Sequence, residues 1–220
     1  VKRHEAYIIG SVGGFSIEEY VEVSSLMEDG GVDIIELNIS CPTVDVYAYI
    51  SNPRNVKELV SNVKSVVKVP VAIKLPPVNT LEVARASVNA GADILVAINT
   101  LAPAIAIDVE SGRPLLGNPE GFGGLSGPAI KPIALAKVIE LAKEFSMPII
   151  GMGGVTSWRD VVEMILAGAN AVGVLSAILI HKGTKFIKDL VNGLIRYMIN
   201  KGFKTLNDFR GLTLRYLGHK

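Results

Sequence analysis

The chain has 220 residues, 49% of them hydrophobic, and 22 Lys and Arg against 21 Asp and Glu give a formal net charge of +1. That length supports one large core, so a single α/β domain over residues 1–220 is expected. Interspersed charges leave no extended basic surface, which argues against nucleic acid and for a small-molecule ligand. The single cysteine excludes an intrachain disulfide framework and any iron–sulfur cluster held by this chain alone. No apolar run of about 18 residues or more and no charged-then-apolar leader is visible, so a cytoplasmic protein without a membrane span is expected.

In chain order, Tyr7-Ile8-Ile9-Gly10-Ser11-Val12 reads as a strand, and Ser16 caps a helix that runs to about Asp29 and stops at Gly30-Gly31. Asp33 to Ser40 has the β-branched, apolar content of a strand buried on both faces, and Pro42 blocks further pairing. Cys41 therefore falls at a strand's C-terminal end. Residues 43–50 show no clear period and carry two tyrosines, as a loop closing over a site would. Asn52-Pro53 opens a helix whose Val56, Leu59, Val60 and Val63 form an i, i+3, i+4, i+7 stripe. A strand over Val69 to Leu75, a helix from about Thr80 to Ala90 and a strand over Ile94 to Thr100 follow.

Leu101 to Gly124 reads as a long connection punctuated by glycine and proline, and loops of that length usually carry function. A helix from Ile130 to Phe145, a strand ending in Gly153-Gly154, a helix capped by Thr156-Ser157 and a last strand over Ala171 to Ala177 come next. The tail from Thr184 to Met198 is helical, with Phe186, Leu190, Ile195 and Met198 available for packing, and Asn207-Asp208-Phe209-Arg210 starts a further short helix. Six strands alternating with helices are the signature of a parallel sheet covered on its faces. A closed barrel of this kind needs eight, so the pattern fits an open doubly wound sheet or a barrel missing its first quarter.

Polar residues recur at the strand ends: Asn38 and Cys41, Lys74, Asn99 and Thr100, Gly153 and Gly154, and Ser176. In a parallel barrel such positions converge on one mouth, where ligands bind. Each residue also has a plain reading: a small buried cysteine, a rim lysine with its head in water, asparagines that close loops, a glycine turn between strand and helix. Taken together they have a chemical use. Backbone amides at Gly153-Gly154 and Leu175-Ser176 can hold an anion, Lys74 can stabilise developing negative charge, and two asparagines can hold a planar amide or imide.

The motifs Glu36-Leu37-Asn38-Ile39-Ser40-Cys41-Pro42, Lys74-Leu75-Pro76-Pro77, Ile98-Asn99-Thr100, Gly123-Gly124-Leu125-Ser126-Gly127-Pro128-Ala129-Ile130-Lys131-Pro132 and Ile150-Gly151-Met152-Gly153-Gly154 occur in the order found in class 1 dihydroorotate dehydrogenases, which this chain resembles over nearly its whole length. The resemblance implies a (β/α)8 TIM barrel that binds FMN and oxidises dihydroorotate to orotate in pyrimidine biosynthesis. It casts Cys41 as the base and Asn38, Asn99 and Thr100 as substrate contacts. Asn38, Lys74, Ile98, Gly127, Gly153, Gly154, Leu175 and Ser176 fall at cofactor-binding positions. No metal site is implied. It further implies an electron acceptor of one of two kinds, fumarate or NAD, the latter reached through a partner subunit carrying FAD and an iron–sulfur cluster. A homo-oligomer is expected.

The chain departs from that family in two ways. Relatives carry about two further strand–helix units before Tyr7, so a barrel lacking its first two units, cut from a longer protein, is expected. Leu175-Ser176 also stands where the family usually has Gly-Thr. Two other readings stay open: a reduction like that of dihydropyrimidine dehydrogenase, and a non-catalytic flavin-binding or assembly subunit.

Overall fold

The computed structural model describes residues 6–39, 52–116, 121–181, 183 and 185–218. Cys41 and the expected loop over residues 43–50 lie outside the described residues. The chain divides into two compact units, Val1–Gly124 and Leu125–Lys220.

In the first unit, β1 (Ile9–Val12), β2 (Ile34–Asn38), β3 (Val71–Leu75) and β4 (Ile94–Ala97) alternate with α1 (Ile17–Asp29), α2 (Pro53–Val66) and α3 (Thr80–Asn89). Neighbouring strands pair in parallel and in chain order, with Gly10 opposite Ile35, Leu37 opposite Ile73 and Ile73 opposite Leu95. One face of this sheet is fully apolar, since Ile35, Leu37, Ile73, Leu75 and Leu95 have no exposed surface. The α2 stripe of Val56, Leu59, Val60 and Val63 is buried to the same degree. The other face is where the fully apolar reading of β2 fails: Glu36 and Asn38 alternate with buried Leu37, so the strand is apolar on one side only. Leu101–Ala104 (β5) and Gly123–Leu125 (β6) form a separate two-stranded sheet, and Ile107 bridges Pro114, so the expected irregular connection carries pairing of its own.

In the second unit, a 3-10 turn (Pro128–Ile130) leads into α4 (Lys131–Glu144), followed by β7 (Ile149–Met152), α5 (Trp158–Ala167), β8 (Ala171–Gly173), α6 (Ser176–His181) and α7 (Lys185–Lys201). β7 and β8 are parallel. The last strand is shorter than expected because the Leu175 carbonyl already accepts from the amides of Ile178 and Leu179, which places Ser176 and Ala177 in a helix. Helix α7 also packs differently from the expectation: Leu190 is buried, whereas Ile195 is 48% exposed. Gly193 instead lies directly under the Trp158 ring, where any β-carbon would collide. After α7 the chain forms two 3-10 turns, Leu206–Asp208 and Leu212–Tyr216, in place of a short α-helix. Phe209 is fully buried there, stacked on Phe203 at 5.1 Å with Tyr197 at its edge.

One local device recurs in both units. Gly31-Val32-Asp33, Gly91-Ala92-Asp93 and Gly168-Ala169-Asn170 each turn a helix into the next strand through a glycine at positive φ (86°, 97° and 122°). The residue two places on then grips the start of the preceding strand twice. Its side chain accepts from the amide of Ile8 (2.8 Å), Val71 (2.8 Å) or Ile149 (3.1 Å). Its own amide donates to the carbonyl of that same residue, at 2.9, 2.9 and 2.7 Å. These braces tie down the N-terminal strand ends and leave the C-terminal ends to present other groups. No helix among the described residues is long and apolar enough to cross a membrane.

Candidate active site

The polar face of the first unit is set by register. Glu36 stands opposite Ser11 and Asn38 opposite Lys74, and strand side chains alternate, so Ser11, Glu36, Asn38 and Lys74 share one side of the sheet. Ser11 donates its hydroxyl to Glu36 Oε1 at 2.9 Å, and the Lys74 ammonium lies 4.0 Å from the same oxygen. Glu36 and Lys74 are largely enclosed, with side chains 13% and 17% exposed. The lysine is therefore held within the polar face rather than extended into water, as a rim lysine would be.

Beyond the strand ends the two asparagines meet. Asn99 donates from Nδ2 to Asn38 Oδ1 at 3.0 Å, while Asn99 Oδ1 accepts the Thr100 amide at 2.9 Å. Asn38 is anchored from behind, because the Tyr20 hydroxyl donates to its carbonyl at 2.8 Å. Ile98, just before Asn99, is 3% exposed and follows a cis peptide bond with Ala97. The Thr100 hydroxyl is buried with no hydrogen-bond partner among the described residues, and the Thr100 side chain packs directly on Gly124, where a β-carbon would overlap it. A hydroxyl in that state costs about 1–3 kcal/mol unless a ligand satisfies it.

The second unit contributes backbone instead of side chains. Gly127, Gly153 and Gly154 have φ of 75°, 128° and 74°, a region that favours glycine. A β-carbon on Gly154 would come within 2.7 Å of the Gly127 carbonyl oxygen and 2.9 Å of the Lys131 amide nitrogen, so the two glycine turns are in direct contact. A β-carbon on Gly127 would lie 4.0 Å from Ser176 Oγ. Leu175, the residue that departs from the family pattern, is 61% exposed.

Sequence reasoning missed the group that holds this corner. Asp160 is 6% exposed and its Oδ2 accepts from the Thr156 amide, the Thr156 hydroxyl, the Ser157 amide and the Ser157 hydroxyl, at 2.9, 3.1, 2.7 and 3.0 Å. Its Oδ1 accepts from Lys131 Nζ at 2.5 Å, and the same ammonium reaches Glu163 at 2.7 Å. Burial pushes the Asp160 carboxyl up, but the Lys131 ammonium and the Thr156 and Ser157 donors outweigh it and hold it at about 2. The Asp160 hydrogen bond, followed by that to Glu163, raises Lys131 above the usual lysine value. The pattern Ser157-x-x-Asp160 is a capping-box signature that would have located Asp160; nothing local signals Lys131 as its partner.

Two features fit the flavin nucleotide that the sequence resemblance implies. A β-carbon on Gly127 would meet nothing nearer than Ser176 Oγ at 4.0 Å, which leaves space beside a backbone turn of the kind that takes a phosphate, and the buried Thr100 hydroxyl lacks a partner among the described residues. Among the described residues no group of three His, Cys, Asp or Glu is arranged to hold a metal ion.

Comparison with known proteins gives a consistent picture. The family model for dihydroorotate dehydrogenase matches residues 1–198. The chain is 43% identical over 218 residues to the dihydroorotate dehydrogenase B (NAD(+)) catalytic subunit of Pyrococcus horikoshii, covering 97% of this chain and 70% of that protein. The subunit of the same name from Caldicellulosiruptor bescii is 39% identical over 215 residues, covering 96% and 70%, and that of Pyrococcus furiosus is 42% identical over 210 residues, covering 93% and 68%. Among solved structures, DHODH from Eimeria tenella in complex with ferulenol matches with a TM-score of 0.74 at 20% identity, covering 90% of this chain and 58% of that one. That likeness establishes the fold as the (β/α) barrel class that the family resemblance implied, over the open doubly wound sheet that the strand–helix alternation also allowed. The chain thus spans about 70% of the length of the first two relatives and 58% of that solved chain.

Proposed function

The chain belongs to the dihydroorotate dehydrogenase family, and on that premise we propose that it is an FMN-binding catalytic subunit that oxidises dihydroorotate to orotate in pyrimidine biosynthesis. The observation that carries this reading is the Asn38–Asn99 bridge, which joins two amide side chains, with Asn38 beside Lys74 on the polar face. Paired amides of this kind suit the planar imide of a pyrimidine, which offers donors and acceptors at fixed spacing.

Oxidation makes a C5=C6 double bond. A proton leaves C5 to the Cys41 sulfur, and a hydride leaves C6 with its electron pair. FMN, when bound, supplies the hydride acceptor. Cys41 acts in its thiolate form, because the ionised sulfur is the one that can accept the proton. Asn38, Asn99 and Thr100 orient the substrate ring, and the Thr100 hydroxyl gains a partner that it lacks among the described residues. Lys74 would place positive charge beside the cofactor ring, with Ile98 an apolar contact, and Gly127, Gly153, Gly154, Leu175 and Ser176 would hold its phosphate through backbone amides and the Ser176 hydroxyl.

The relatives' names carry NAD(+), which favours NAD over fumarate as the final acceptor. In the NAD-linked form the electrons pass through a partner subunit carrying FAD and an iron–sulfur centre, since the single cysteine of this chain cannot hold a cluster by itself. A homo-oligomer in the cytoplasm completes the reading. Replacement Cys41→Ala tests it: the variant retains flavin and loses dihydroorotate oxidation by about 10²–10⁴-fold. A variant that oxidises dihydroorotate at the wild-type rate removes Cys41 as the base.

A further inference from the structure

The Asp160 carboxylate has one oxygen on each of two turns. Oδ2 fixes Thr156 and Ser157, which follow the Gly153-Gly154 turn, and Oδ1 fixes Lys131, which ends the turn begun by Gly127. The two turns touch where Gly154 meets the Gly127 carbonyl and the Lys131 amide, a contact that leaves no room for a β-carbon. We propose that the Lys131–Asp160 ion pair is a positioning device, which clamps the Gly127–Lys131 turn onto the Gly153–Gly154 turn and thereby sets the spacing of the backbone donors that receive the cofactor phosphate. The proposal rests on the FMN reading above and assigns roles to two residues that do not themselves touch the cofactor.

Three observations favour a clamp over a general stabilising pair. The Lys131 ammonium is engaged by two carboxylates, Asp160 and Glu163, both on α5, so its charge is directed along that helix. Asp160 is nearly enclosed and meets five donors, which fixes its orientation. The capping box holds the start of α5, so loss of the lysine alone leaves the Thr156 and Ser157 contacts in place and releases only the other turn.

The test compares FMN with riboflavin, which has the same ring system and no phosphate. Dissociation constants for both are measured by flavin fluorescence on full-chain protein stripped of cofactor, for wild type, Asp160→Asn, Lys131→Gln and Lys131→Arg. Loss of the clamp weakens FMN binding by about tenfold in the first two variants and changes riboflavin binding by less than about threefold, and Lys131→Arg restores FMN binding. A purely structural loss would lower both flavins together, and an unchanged FMN-to-riboflavin ratio overturns the proposal. Tighter FMN binding in Asp160→Asn also overturns it, because that result means the freed lysine reaches the phosphate directly. If Asp160→Asn does not fold, the two Lys131 variants decide. Wild-type protein with no preference for FMN over riboflavin overturns the functional reading and the clamp with it.

Discussion

The two units present their polar groups in opposite ways. The first does so through side chains: Asn38, Lys74 and Asn99 project from strand ends and are held by Tyr20, Glu36 and each other. The second does so through backbone, at glycines of positive φ, where Gly154 packs so closely on the Gly127 carbonyl and Lys131 that a β-carbon would collide. A side-chain site can lose one head group and keep its fold, whereas a backbone site changes only when its packing changes. Substitutions in the two regions therefore fail differently.

The largest effect is expected at Gly154→Ala. The new β-carbon meets the Gly127 oxygen and Lys131 at 2.7–2.9 Å with φ at 74°. Destabilisation of about 3 kcal/mol or more follows, read by chemical denaturation together with loss of bound flavin. Asn99→Ala, by contrast, breaks the bridge to Asn38 and uncovers the Thr100 amide, and lowers kcat/KM by about 10–100-fold while the unfolding midpoint moves little. Equal loss of stability and activity at Asn99 would erase the contrast between the two regions.

A pH titration sharpens it further. Asp160 has its carboxyl lowered from 3.8 to about 2, so its stabilisation is fully present above about pH 4 and is lost as pH falls toward 2. Allowing for partial solvent screening this amounts to roughly 1–2 kcal/mol, and Asp160→Asn flattens that limb of the stability curve. The smallest change is expected at Asp93→Asn, which gives up the 2.8 Å ion pair with Lys64 but keeps an acceptor for Val71. Less than about 1 kcal/mol is lost, measurable by thermal unfolding.

What the sequence disclosed follows the same division. Asn38, Lys74 and Asn99 were legible because apolar strands are easy to see and a polar residue at their ends stands out. The stripe of α2 and the caps at Ser16, Asn52 and Ser157 were legible for similar local reasons. The pairing of Lys131 with Asp160 spans 29 residues and has no periodic signature. β5 was hidden because Leu101-Ala102-Pro103-Ala104 lacks alternation and contains proline, which strands seldom admit. The exposed side of α7 was misread because Gly193, not an apolar residue, makes the close contact with Trp158.

The most direct measurement is anaerobic mixing of the FMN-loaded protein with dihydroorotate while the flavin absorbance is followed. Bleaching with one orotate formed per flavin is the expected result. No bleaching with dihydroorotate, with prereduced flavin reoxidised by uracil instead, would contradict dihydroorotate as the substrate and turn the same polar face to pyrimidine reduction.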